Sequence, residues 1–195
     1  MKYLSLAKYL GIALLVIAGI VYVFGDPITK LLSYQGPIIG GGLLGWYVLN
    51  SVSKDRVIED DKGEKLPVIS VAIRKYVFPA LILSLVMIVP WLTPFMFRLE
   101  EENQILFLGS FTSMTVAGFI IGYFISSLKF IEKVIIYSLG FVADILYFFI
   151  IYDAANLFGI PESVVVNDIL FLVYGVKFPE GVLFAFYIIK KVRAI

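Results

Sequence analysis

Hydrophobic residues along this chain gather into six long blocks, near residues 6–24, 31–52, 76–97, 105–128, 134–152 and 165–189, with charged residues concentrated in the connections. Each block matches the roughly 17–25 residues that a helix needs to cross a hydrocarbon core about 30 Å thick. The pattern predicts an all-α, polytopic transmembrane helix bundle: a single transmembrane domain over residues 1–195, six spans, and one long connection at 53–75. The first block follows Lys2 as a secretory signal would, but no small-x-small cleavage pattern comes after it, so a retained span is expected.

Composition points the same way. Hydrophobic residues make up 61% of the 195 residues and charged residues 16%, where soluble domains have about 45–50% and about 25%. The chain has no Cys and no His. Disulfides, thiolate nucleophiles, Cys or His metal sites, His-ligated haem and imidazole acid–base chemistry are therefore excluded. No cofactor and no metal centre is expected, although an oxygen-ligand site for a hard cation stays open.

Lys and Arg set orientation in the membrane. Lys2 and Lys8 precede the first span; Lys54, Arg56, Lys62, Lys65, Arg74 and Lys75 lie between spans two and three; Lys129 and Lys133 lie between four and five; Lys190, Lys191 and Arg193 follow the sixth. These are thirteen of the sixteen basic residues, all on one side of a six-span chain. The alternate connections hold Lys30 and Arg98 beside Asp26, Glu100, Glu101, Glu102, Asp153 and Glu162. Both termini are expected on the cytoplasmic face of a cell membrane, with Trp91 near the outer end of span three and Trp46 toward the inner end of span two. The long connection balances six basic against five acidic residues. It reads as a solvated loop leading to an interfacial helix from about Pro67, with no patch for nucleic acid or anionic lipid.

The densest anomaly is a run of glycines in span two. Residues Gly40 to Gly45, "GGGLLG", match G-x-G-x-x-G, but no strand precedes them and no phosphate-gripping Lys-Ser or Lys-Thr follows, so a dinucleotide site is excluded. Two readings remain. Gly36 with Gly40, and Gly41 with Gly45, are small-xxx-small pairs on adjacent helix faces that admit a neighbouring backbone. Alternatively Pro37 and Gly40, Gly41 and Gly42 interrupt the helix and leave backbone groups lining a cavity. Span four carries matching seams, Gly109–Ser113–Ala117 and Gly118–Gly122–Ser126, and its hydroxyls can bond to carbonyls one turn back. Pro90 and Pro94 are expected to kink or end span three.

Ionisable residues inside spans five and six are the strongest functional signal, because such groups are expensive in lipid and face a bundle interior or a cavity. Counted along the helical rise, Asp144 lies about 16 Å inward from Lys133, while Lys177 and Glu180 lie about 20 and 15 Å inward from Lys190. Asp144 is expected to pair with Lys177. The stripes Tyr137–Gly140–Asp144–Tyr147 and Asn167–Leu170–Tyr174–Lys177–Gly181 are expected to meet, with Glu180, Tyr147 and Tyr174 completing an intramembrane polar site. Pro179 either kinks a continuous sixth span or breaks it.

Known intramembrane catalytic arrangements are missing. Tyr152-Asp153 lacks a partner G-x-G-D, and Asp144 and Asp153 sit nine residues apart on one helix, unable to converge on one water. The sequence leads to a transport protein or channel for an ion or small solute, and not to an enzyme. The competing reading is a non-catalytic helical subunit or scaffold in a membrane complex. Expected partners are the lipid bilayer and either further copies of the chain or other membrane subunits.

Overall fold

The computed structural model describes residues 2–26, 29–30, 33–51, 57–59, 65–157 and 159–192. Among them, five helices are long and apolar enough to cross a membrane: Tyr3–Phe24, Arg74–Leu92, Gln104–Ile125, Phe130–Tyr152 and Glu162–Val192. The chain is a multi-pass helical membrane protein. The remaining expected span forms a helix of 16 residues, Gln35–Asn50, about 24 Å long and shorter than a hydrocarbon core. Residues 31, 32 and 52, much of the 53–75 connection including Lys54, Arg56 and Lys62, and Arg193 lie outside the described residues.

Two compact units divide the chain. One comprises Met1–Gly25 with Ser33–Lys129, the other Asp26–Leu32 with Phe130–Ile195.

The first unit begins with α1 (Lys2–Phe24) and α2 (Gln35–Asn50). A short antiparallel hairpin follows, β1 (Val57–Glu59) with β2 (Lys65–Pro67), in the register Val57 to Pro67 and Glu59 to Lys65. Pro67 leads into α3 (Val68–Ala72), where the interfacial helix was expected. Next come α4 (Val77–Ile88), a tight turn at Val89–Leu92, α5 (Pro94–Glu102) and α6 (Gln104–Ile125). Span three ends at its prolines as expected. Thr93 Oγ1 donates to the Pro90 carbonyl at 2.7 Å and accepts from the Met96 N–H, capping a new helix that starts at Pro94.

Glycine decides how α2 packs. Its helix runs unbroken through Gly40, Gly41 and Gly42, so the interrupted-helix reading does not hold. Pro37 sits in the first turn, where a missing N–H costs no helical bond. Gly36 and Gly40 face α1: a Cβ on Gly36 would stand 2.6 Å from Ala18 Cβ, and one on Gly40 would stand 2.9 Å from Leu15 Cγ. Gly41 and Gly45 face α6, where a Cβ would overlap the carbonyls of Thr115 and Phe119. In return, Gly118 and Gly122 of α6 abut the carbonyls of Ile38 and Gly42. Two backbones in contact gain dispersion energy along their whole shared length, which matters where lipid gives helices no hydrophobic reason to associate.

Span four uses its hydroxyls in two ways. Thr115 bonds back to Phe111 at 2.8 Å and Ser110 to Phe107 at 2.9 Å, as expected. Ser113 instead reaches across to α4 and donates to the Met87 carbonyl at 2.8 Å. That carbonyl is near the end of α4, where helical acceptors lack partners.

The second unit starts with α7 (Phe130–Leu157). Gly159, at φ 64°, adopts the left-handed conformation that closes this helix, and the Ile160 N–H reaches the Ala155 carbonyl at 3.1 Å in a Schellman arrangement. The chain continues through α8 (Glu162–Leu172), a π-helical segment Val173–Lys177 and α9 (Phe178–Val192). The segment expected as the sixth span is therefore one continuous helix, Glu162–Val192. Pro179 has no N–H for the Gly175 carbonyl, and its ring crowds that carbonyl; the chain widens by one residue, with the Phe178 N–H bonding to Val173 five residues back.

Candidate functional site

Helices α7 and α9 run antiparallel and meet along one face of each. Tyr137 stacks on Phe184 with ring centroids 3.8 Å apart, Phe141 lies against Gly181, and Phe130 packs near Tyr187 at 5.9 Å. On α7 the face is Phe130, Tyr137, Phe141, Asp144 and Tyr147; opposite it stand Lys177, the last residue of the π segment, and Glu180, Gly181, Phe184 and Tyr187 of α9. Each set has the three-to-four spacing of a single helical stripe.

At one end of this seam, three charges converge. Lys177 Nζ lies 2.6 Å from Asp144 Oδ2 and 3.0 Å from Glu180 Oε2. The side chains of Lys177, Asp144 and Glu180 are 12%, 17% and 33% exposed. Phe141 covers the ammonium, its ring centroid 5.9 Å from Nζ, an arrangement in which the ring quadrupole favours the cation. The Tyr137 hydroxyl is buried beside the Glu180 carboxylate without a hydrogen bond of normal geometry among the described residues.

With all three groups ionised the cluster carries one negative charge in excess. Lys177 occupies the position in which a hard cation would gather the same two carboxylates. A buried ion pair contributes little net stability, since desolvation offsets attraction, yet losing one member leaves a costly unpaired charge. A third charge, more exposed than the others, is not needed to hold two helices in register.

The expected pair of Asp144 with Lys177 is present, and Glu180 joins it. Tyr147 is buried on the same face of α7. Tyr174 is 70% exposed and stands apart from the cluster. The π segment explains this. An extra residue in one turn rotates everything before it relative to everything after it, so Asn167, Leu170 and Tyr174 lose phase with Lys177 and Gly181, and Val165 and Leu172 are buried in their place. Gly140 also leaves the seam, with open space where its Cβ would be; Phe141 takes that position. Phe141 and Phe184 were missed because apolar residues in a span carry no contrast with their neighbours, although their spacing to Asp144 and Lys177 was available.

No protein-family model, curated protein or solved structure matches this chain.

Proposed function

We propose that this protein is a small six-span transport protein or channel, with both termini cytoplasmic, that moves a proton or another small cation through a polar site formed by Asp144, Lys177 and Glu180. The observation that carries this reading is the surplus acid: two carboxylates share one ammonium between otherwise apolar helices. Two carboxylates and one ammonium sum to a net negative charge when all are ionised, which attracts a proton or cation, and Lys177 can exchange between two acceptors only 2.6 and 3.0 Å from it. The π segment beside Lys177 supports the same reading, because widened turns leave backbone groups that a polar path can use. The alternation of basic connections supports six crossings with α2 as the second.

The test is flux in proteoliposomes under an imposed membrane potential, read with a pH-sensitive dye and with Na⁺ and K⁺ indicators. Wild-type protein is expected to conduct one of these cations; Asp144→Asn and Glu180→Gln are expected to abolish conduction in protein that still runs as a single species. The double exchange Asp144→Lys with Lys177→Asp keeps the ion pair, and should preserve folding without supporting flux. Absence of flux above that of empty vesicles would refute the proposal. Orientation is checked separately: the chain has no native cysteine, so Glu102→Cys should label from outside the cell and Lys190→Cys only after permeabilisation.

A second reading, a helical subunit of a larger membrane assembly, draws on the apolar faces of α7 and α9 that the chain leaves uncovered, including Leu146, Phe149, Leu183 and Phe186. Co-purification of a stoichiometric membrane partner from mild detergent, together with absent flux, would favour it.

A further inference from the structure

The first unit contains a second buried acid, remote in sequence from Asp144 and unused by the proposed transport site. Glu100 lies on α5, one turn after Phe97, and both are turned into the unit while Phe95 and Arg98 face outward. Glu100 is 5% exposed. Its Oε2 lies 2.7 Å from Ser110 Oγ of α6, and its Oε1 is buried with no hydrogen-bond partner among the described residues. Tyr22 of α1 is the titratable neighbour, wedged against Phe107 and Phe111 of α6 with ring centroids 5.2 and 5.7 Å away, and bonded to the Ser33 side chain. The turn Val89–Leu92 that leads into α5 has no ionisable residue. No basic group among the described residues acts on the carboxyl.

Hydrogen counting then assigns the protonation state. Ser110 Oγ lies within bonding distance of two acceptors, Glu100 Oε2 at 2.7 Å and the Phe107 carbonyl at 2.9 Å, but a serine hydroxyl has one hydrogen to give. If Glu100 is ionised, Ser110 gives its one hydrogen to Oε2 or to the Phe107 carbonyl, which also has its helical bond, and a half-charged Oε1 stays dry. If Glu100 carries a proton on Oε2, it donates to Ser110 Oγ, which donates onward to Phe107. Every hydrogen is then used, and Oε1 becomes a neutral carbonyl oxygen, cheaper to leave unsolvated.

We infer that Glu100 is a proton-binding site, and that its proton holds α5 against α1 and α6 through the relay Glu100–Ser110–Phe107. Burial pushes its carboxyl up to about 7, so the proton is exchanged near neutrality. Ionisation breaks the relay and releases α5 from the bundle. This inference does not depend on the transport reading.

Trp91 reports on the site, because it packs beside Gly109, the residue before Ser110. In full-length Trp46→Phe protein in nanodiscs, Trp91 emission is expected to titrate with a midpoint near pH 7, and the infrared band of a protonated carboxyl is expected to disappear over the same range. Glu100→Gln should abolish both transitions. Ser110→Ala, which removes the acceptor of the carboxyl proton, should lower the midpoint by about one pH unit and keeps the test alive should the Gln variant misfold. Absence of a transition from about pH 5 to about pH 9, its persistence in Glu100→Gln, or an unchanged or raised midpoint in Ser110→Ala overturns the inference.

Discussion

The two units of this protein are built on opposite packing principles. In the first, α2 lies between α1 and α6 with side chains removed from the contact: Gly36, Gly40, Gly41, Gly45, Gly118 and Gly122 bring backbones together, and no side-chain freedom is lost because glycine has no rotamers to fix. In the second, α7 and α9 meet through large rings and three charges, with Tyr137 on Phe184 and Lys177 between Asp144 and Glu180. Backbone contact has one closed geometry. An ammonium shared by two carboxylates has at least two, and a π turn beside it already departs from the regular ladder. The comparison teaches that rigidity and chemistry are separated between contacts: the glycine contact of α2 is assembled to stay put, while the contact of α7 with α9 holds groups that can exchange partners.

The largest effect should come from breaking the glycine contact. Gly41→Leu places a side chain against the Thr115 carbonyl and the Phe119 N–H. The loss should exceed the roughly 1–3 kcal/mol of ordinary overpacking, because backbone cannot step aside as a side chain does. Size-exclusion profiles and thermal melts in detergent should show loss of the folded species, whereas Gly140→Leu, facing open space, should leave both unchanged. Equal damage from the two variants would mean that glycine position is irrelevant.

Next in size is Lys177→Met, which strands two acids and should cost about 3–5 kcal/mol. Hydrogen exchange should rise in α7 and α9 but not in α2 or α6. Adding Asp144→Asn and Glu180→Gln should recover most of the loss, since an all-neutral cluster has no charge left to compensate. Exchange that rises equally in both units would end the comparison.

Glu100→Gln should have a smaller effect whose size depends on pH. The carboxyl binds its proton more tightly when folded, at about 7 against an ordinary 4.5. Its contribution to stability is complete below about pH 4.5, declines as pH rises, and is gone above about pH 7, where the difference is of order 3 kcal/mol. The neutral variant should match wild type in acid and melt higher above pH 7. A constant offset across pH would refute the linkage.

The smallest effect tests whether open glycines are spare. Gly19→Ala in α1 and Gly140→Ala in α7 meet nothing within 4 Å. Each should gain up to about 1 kcal/mol from helix propensity, seen as a small rise in melting temperature in both units alike.

Much of this was legible in residue order because its causes are local. Hydrophobic length marks spans, and four-residue spacing of Gly36 with Gly40 and of Gly41 with Gly45 assigns two faces of α2, since 3.6 residues per turn bring such positions together on any helix. The pairing of Asp144 with Lys177 follows from similar depth on consecutive spans. The hairpin at Val57–Glu59 was not legible, because three-residue strands carry too short an alternation to register. Nor was the partnership of Glu100 with Ser110, ten residues away across a helix boundary at Asn103.

Residue order by itself determined that the chain is a multi-pass helical membrane protein, where its small-residue faces lie, and which charges must find partners inside it, because these depend on composition and on the fixed period of a helix. Tertiary structure alone decided that α2 runs unbroken between two neighbours, that a proline resets the face of span six and removes Tyr174 from the cluster, and that an acid on α5 meets a hydroxyl on α6. Each of those depends on where a second element stands, and a local pattern carries no information about the far side of a contact.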